Sequence, residues 1–151
     1  MPQYWLFKTE PNEFSLQDLA RKSPARWDGI RNYSARNYLR DQAQVGDVVL
    51  VYHSSCAQVG IVGLAKIVTA AYVDPTQFDT SSIYFDAKSS TDKPRWVSVD
   101  IAFVAQFSKL VPLSLLKKTP ELQNMALIKQ PRLSVQPVTE AEFAVIECLA
   151  H

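Results

Sequence analysis

A chain of 151 residues is the size of one domain, and folding at that length buries roughly two-thirds of the unfolded chain's surface, so a single core suffices. Hydrophobic residues at 47% and charged residues at 21% exclude a disordered or collagen-like chain. A net charge of only +1 excludes a protein that coats nucleic acid by bulk electrostatics. The first predicted element is a strand at Tyr4 to Lys8, a run of aromatic, β-favouring residues closed by the Pro11-Asn12 turn signal. A helix of about two turns follows, because Ser15 stands three residues before Asp18 while Leu16 and Leu19 share a face. Pro24 to Tyr33 has no periodicity and carries a Gly, which predicts an irregular loop, and Ser34 is expected to cap a short helix reaching Gln42.

After Gly46-Asp47, the unbroken apolar run Val48 to His53 predicts a strand buried on both faces. Ile61 to Ala71 repeats that signal, with Gly63 marking a bulge or a close backbone approach. Asp74 to Asp92 is polar and turn-rich apart from Tyr84-Phe85, and is expected to be a long excursion. Arg95 to Val104 alternates polar and apolar residues, the signature of a half-buried strand. Helices are predicted at Pro112 to Lys118 and at Thr139 to Leu149, the latter with Thr139 and Glu142 as a capping box. Between them Leu133 to Val138 is expected to be the last strand, closing a barrel. Strands with short helices inserted, and no regular strand-helix alternation, predict an α+β chain built on a small mixed β-barrel with short peripheral helices.

No apolar run approaches the ~18 residues needed to span a bilayer, and the opening residues lack the pattern of a signal peptide, so a cytoplasmic location is expected. Cys56 and Cys148 stand far apart without a second ligand at metal spacing, which favours reduced thiols over zinc. The chain has no phosphate-binding glycine loop, no G-x-S-x-G elbow, no H-E-x-x-H and no Cys-x-x-Cys. Charge is nonetheless unevenly placed. Between Arg21 and Arg40 six basic residues face one acid, a local +5 that leaves −4 for the remainder. That reads either as a solvated face or as a nucleic-acid contact.

Trp5 and Trp96 lie on predicted strands and are expected in the core. Trp27 lies in the basic, Gly-containing loop, where a large aromatic ring has less reason to be core. Cations interleaved with Trp and Tyr suit single-stranded or flipped nucleotides, cations meeting phosphates and π faces stacking on bases. Six segments carry a family resemblance: YWLFKTEP (Tyr4 to Pro11), WDGIRNYSARNYLR (Trp27 to Arg40), GDVVLVYHS (Gly46 to Ser54), GIVGLAKIV (Gly60 to Val68), PRWVSVD (Pro94 to Asp100) and RLSVQPVTEAEF (Arg132 to Phe143). In that order, over nearly the whole chain, they resemble the EVE domain family.

The resemblance implies a PUA-like fold, similar also to YTH domains, and a non-enzymatic reader of a flipped modified base: 5-methylcytosine or 5-hydroxymethylcytosine in DNA, or a modified base in RNA. It implies a base pocket formed by Lys8, Thr9, Trp27, Asn32, Tyr33, Tyr52, His53 and Ser54, with Arg31 and Arg36 on phosphate or rim. The chain carries Thr9 where the family commonly has Ser, which keeps a hydroxyl and adds a methyl group. The expected partner is modified DNA or RNA, with no membrane, cofactor or metal, and the expected state is a monomer. Each position keeps a structural alternative: Asn32 as a cap or loop anchor, Tyr52 as barrel core, His53 as the partner of a backbone carbonyl. Two other functions stay open, a nucleobase-modifying enzyme using His53 with Ser54 or Lys8, and a protein-interaction module docking through the basic loop. If Trp27 stacks on the base, Trp27→Ala is expected to abolish binding preference without disturbing the fold.

Overall fold

A computed structural model describes residues 2–151. Its elements in chain order are β1 (Tyr4–Thr9), α1 (Leu16–Lys22), β2 (Ala25–Trp27), α2 (Tyr33–Asp41), β3 (Val48–His53), β4 (Gly60–Ile67), β5 (Tyr72–Val73), β6 (Val97–Pro112), α3 (Leu113–Lys118), α4 (Ala126–Lys129), β7 (Val135–Val138) and α5 (Glu140–Leu149), with short 3-10 turns at Pro75–Phe78 and Pro120–Leu122. The strands form one mixed sheet in the order β2-β6-β4-β3-β1-β7, and β5 adds to β6. All pairings are antiparallel except β1 with β3, which run parallel with Lys8 opposite Tyr52 and Thr9 opposite His53.

Because side chains alternate along a strand, each strand feeds two cores. Trp5 and Phe7 of β1, with Val49 and Val51 of β3, pack on one face against Leu16 and Leu19 of α1 and Ala35 and Leu39 of α2. Leu6, Leu50 and Tyr52 pack on the other against Leu116, Leu122, Leu127 and Ile146. Helices therefore cover both faces, which is why Val48 to His53 reads as an unbroken apolar run. The sheet curls through register shifts between Ile61 and Gly63 and between Leu64 and Ala65 where β4 meets β6. Gly63 serves both expected purposes there: it stands at the shift, and a side chain would press into the Ala105 carbonyl.

Two expectations need correction. The expected small mixed β-barrel with short peripheral helices is present as a curled half-barrel, but Leu133 to Val138 does not close it, since β7 pairs with β1 only and ends the sheet. Helix α2, packed against both β7 and β6, covers the gap. The stretch Pro24 to Tyr33 is not wholly irregular either, because Ala25–Trp27 pair with Ile101, Asp100 and Val99 of β6. Three residues are too few to show a strand period in sequence. The helix ends follow their chemistry more closely: Ser15 with Asp18 and Thr139 with Glu142 form reciprocal capping boxes.

Candidate functional site

Parallel pairing brings the carboxyl ends of β1 and β3 to the same edge of the sheet, and a cavity of about 1150 Å³ opens there. That is slightly above the roughly 300–1,000 Å³ of typical small-ligand sites. Its walls include Lys8, Thr9, Trp27, Tyr52 and Ser54, so five of the eight expected pocket residues converge. Part of the remaining wall comes from elements whose contribution is not legible in the sequence: Phe14 from the turn after β1, Tyr84 and Ile83 from the excursion, Leu127 and Ile128 from α4, and Pro131, Arg132 and Ser134 before β7. The one available signal was an aromatic pair, Tyr84-Phe85, inside an otherwise polar stretch.

Trp27 is core as well as wall. It is 6% exposed, with its ring 5.6 Å from Phe7 and 6.0 Å from Phe14, the latter edge-on. The expectation that it is a loop aromatic outside the core is wrong, because β2 carries it under α1. What it offers the cavity is an aromatic surface held in place by two neighbouring rings. Tyr52 is likewise both buried and cavity-lining, and burial pushes its phenol up to about 12. It therefore remains a neutral hydroxyl near neutral pH.

At the end of β1, Lys8 donates from Nζ to the Pro131 carbonyl and lies 5.6 Å from the Tyr52 ring. Burial lowers its pKa from the ordinary lysine value. Lys8 thus pins the segment before β7 to the sheet. Thr9 donates its hydroxyl to the Phe14 carbonyl at 2.7 Å, which fixes the turn carrying Phe14 and leaves the oxygen able to accept from a ligand N–H. Beyond β3, Ser54 is held by its N–H to the Thr9 carbonyl at 3.0 Å, and Ser55 adopts a left-handed φ of 54°. That conformation is uncommon for a residue with a side chain, and it stands on the cavity wall.

Opposite these, Gly29 has φ 78°, and a Cβ there would lie 2.6 Å from the Tyr84 ring. Only glycine lets Tyr84 come so close. The Tyr84 hydroxyl donates to Glu13 at 3.2 Å, joining two segments of the wall. Gln77 holds the base of the excursion, accepting from Arg95 and Trp96 N–H groups and donating to the Asp74 and Trp96 carbonyls. On the rim stand Lys22, Arg26, Lys117 and Arg132 against Glu10, Glu13 and Asp28, with Arg26 bonded to Asp28 at 2.9 Å.

Five expected site residues serve other ends. Asn32, not Ser34, caps α2 and accepts from the Ala35 N–H at 3.0 Å; it borders a separate, smaller cavity of about 390 Å³. His53 points to the opposite face from Tyr52, and its Nε2 accepts from the Leu16 N–H at 3.1 Å, where burial keeps its pKa below the ordinary histidine value. Its partner is a donor, not the expected carbonyl. Tyr33 lies outside the cavity and stacks on Trp96. Arg31 is an internal brace: it pairs with Asp74 at 3.1 Å and donates to Thr76 and to the Ile30 and Tyr84 carbonyls. Burial pushes the Asp74 carboxyl up, but hydrogen bonds from Thr76, Gly29 and Arg31 together outweigh it and hold the group below the ordinary carboxylate value. Arg36 donates to the Arg95 carbonyl and to Asn37. Among the described residues no group of three or more His, Cys, Asp or Glu could hold a metal, and no helix is long and apolar enough to cross a membrane.

The family model described as EVE domain matches residues 3–149. Thymocyte nuclear protein 1 of Mus musculus is 42% identical over 97% of this chain and 73% of its own length. Among solved structures, a hypothetical protein from Leishmania major superposes with a TM-score of 0.96 at 47% identity, covering 99% of this chain and 95% of the other. Human THYN1 protein, in complex with 5-methylcytosine containing DNA, superposes with a TM-score of 0.92 at 38% identity, covering 99% and 98%.

Proposed function

The chain belongs to the EVE domain family, and from that premise we propose that it reads nucleic acid by accepting a flipped, modified base into the cavity at the ends of β1 and β3. The observation that carries this reading is the cavity itself, lined by Trp27, Tyr52, Phe14 and Tyr84 and edged by the Thr9 and Ser54 hydroxyls, on a fold shared with a protein solved on 5-methylcytosine DNA. Aromatic walls give a base stacking worth about 1–3 kcal/mol, enough to offset much of the few kcal/mol needed to unstack it. The Thr9 oxygen, its proton committed to Phe14, suits an amino donor such as the exocyclic amine of cytosine. A methyl group against apolar walls adds about 1–3 kcal/mol, so preference for the modified base is about ten- to two-hundred-fold.

We read the chain as a binding module and not a catalyst. His53, the imidazole on which the enzymatic alternative rests, has its acceptor nitrogen occupied by the Leu16 N–H and faces away from Tyr52. Titrating matched DNA and RNA oligonucleotides with cytosine, 5-methylcytosine or 5-hydroxymethylcytosine at one position tests the reading. A modified-base preference that disappears in Ser54→Trp, which puts a bulky ring on the cavity wall, supports it; equal weak affinity for every oligonucleotide contradicts it. Ser54 is the better position because Trp27→Ala, as a core truncation, costs about 3–5 kcal/mol of stability, against the expectation that the fold would be undisturbed.

A further inference from the structure

Outside the cavity, Tyr33 stacks on Trp96 with centroids 4.9 Å apart and planes inclined by 27°. Trp96 is buried and fixed by its Nε1, which donates to Asp86 at 2.7 Å. Tyr33, on the first turn of α2, is 51% exposed. The Arg36 guanidinium, one turn along the helix, lies 4.7 Å from the Tyr33 ring and 6.0 Å from Trp96. If it capped the far face of Tyr33, its distance to Trp96 would approach the sum of the two shorter separations. It therefore does not stand opposite Trp96 across the ring, and half of Tyr33's surface remains exposed to solvent. Arg95 reaches the same ring, donating from Nη1 to the Tyr33 hydroxyl at 3.4 Å.

The stack also connects to the cavity. Arg31 lies 5.4 Å from the Trp96 ring and 5.7 Å from that of Tyr84, which is cavity wall, so Tyr84, Arg31, Trp96 and Tyr33 form a connected row from the wall outward. Neither Arg36 nor Arg95 forms an ion pair among the described residues, which leaves their positive charge to an anionic partner. An aromatic face braced from behind and flanked by cations is the arrangement that holds single-stranded nucleotides, the ring taking the base and the cations the phosphates.

We propose that the exposed surface of Tyr33 is a stacking platform for a nucleobase flanking the one in the cavity, with Arg36 and Arg95 meeting the phosphates of that stretch of strand. This inference rests on the base-in-cavity reading and extends it from one nucleotide to its neighbour.

The test compares wild type, Tyr33→Leu and Tyr33→Phe against two ligands: the mononucleotide 5-methyl-dCMP, and a short oligonucleotide with 5-methylcytosine beside 2-aminopurine, prepared with the probe on either side. Tyr33→Leu is expected to weaken oligonucleotide binding about tenfold and to relieve the quenching of 2-aminopurine on one side, as loss of one stacked base requires. Binding of 5-methyl-dCMP is expected to be unchanged, and Tyr33→Phe to behave as wild type. Wild-type affinity and quenching in Tyr33→Leu, or an equal loss for mononucleotide and oligonucleotide, overturns the platform while leaving the cavity reading in place. A wild type that binds methylated and unmethylated oligonucleotides alike overturns the cavity reading and the platform with it. An equal loss for heparin and oligonucleotide in Tyr33→Leu also overturns it, since that reports a charged docking patch.

Discussion

Arg31 and Arg132 carry the same charge near the same cavity, and their surroundings give them different uses. Arg31 lies behind Tyr84 with its side chain 22% exposed, and the five N–H groups of its guanidinium are engaged in five hydrogen bonds to Asp74, Thr76, Ile30 and Tyr84. Arg132 stands exposed on the rim and forms no ion pair among the described residues. A run of basic residues in sequence counts cations, but phosphate binding depends on donors that folding leaves unengaged. By that measure Arg132 is a better phosphate contact than Arg31.

The contrast breaks first at Asp74. Asp74→Ala strands Arg31 without its carboxylate and removes the acceptor of Gly29 and Thr76, so urea denaturation should show a loss of about 3–5 kcal/mol. Arg132→Ala in the same assay should stay within about 0.5 kcal/mol of wild type. Comparable losses in the two would erase the distinction between brace and rim.

His53 belongs with Arg31 among groups engaged inside the fold, and it adds a pH signature. His53→Leu leaves the Leu16 N–H without its acceptor and should cost about 1–3 kcal/mol. Burial holds the folded imidazole below its ordinary value of 6.5, so its contribution is complete above about pH 6.5 and is lost as the pH falls through the lower folded value. The variant should therefore lose less stability than wild type on acidification from pH 7 to 5. Parallel stability curves would place His53 outside the buried network.

The smallest effect sharpens the other side. Arg132→Ala should weaken oligonucleotide binding only a few-fold, evenly across sequences, and reduce the slope of log affinity against log salt by about 1. An unchanged slope would mean that Arg132 meets no phosphate.

What the sequence disclosed and what it withheld follow from the range of the interactions. The strands Tyr4 to Thr9 and Val48 to His53 and the two capping boxes are written in neighbouring residues, and the structure places them nearly as expected. The parallel pairing of those two strands then brings Lys8, Thr9, Tyr52 and Ser54 to one cavity. Trp27 misled because its burial comes from pairing with Val99, far along the chain, through a strand of three residues. Arg31 misled for the same reason: Asp74 and Tyr84, which engage it, lie 43 and 53 residues away. His53 looked like a pocket residue because it follows Tyr52, yet successive strand residues face opposite sides.

The most direct test of the central claim is to bind an oligonucleotide carrying 5-methylcytosine with a 13C-labelled methyl group and to record which protein protons lie near that methyl. Contacts to the rings of Trp27 and Tyr52, absent in Ser54→Trp, are the predicted result. A methyl group that shows contacts only to neighbouring bases, with the oligonucleotide bound, would mean that the base never enters the cavity.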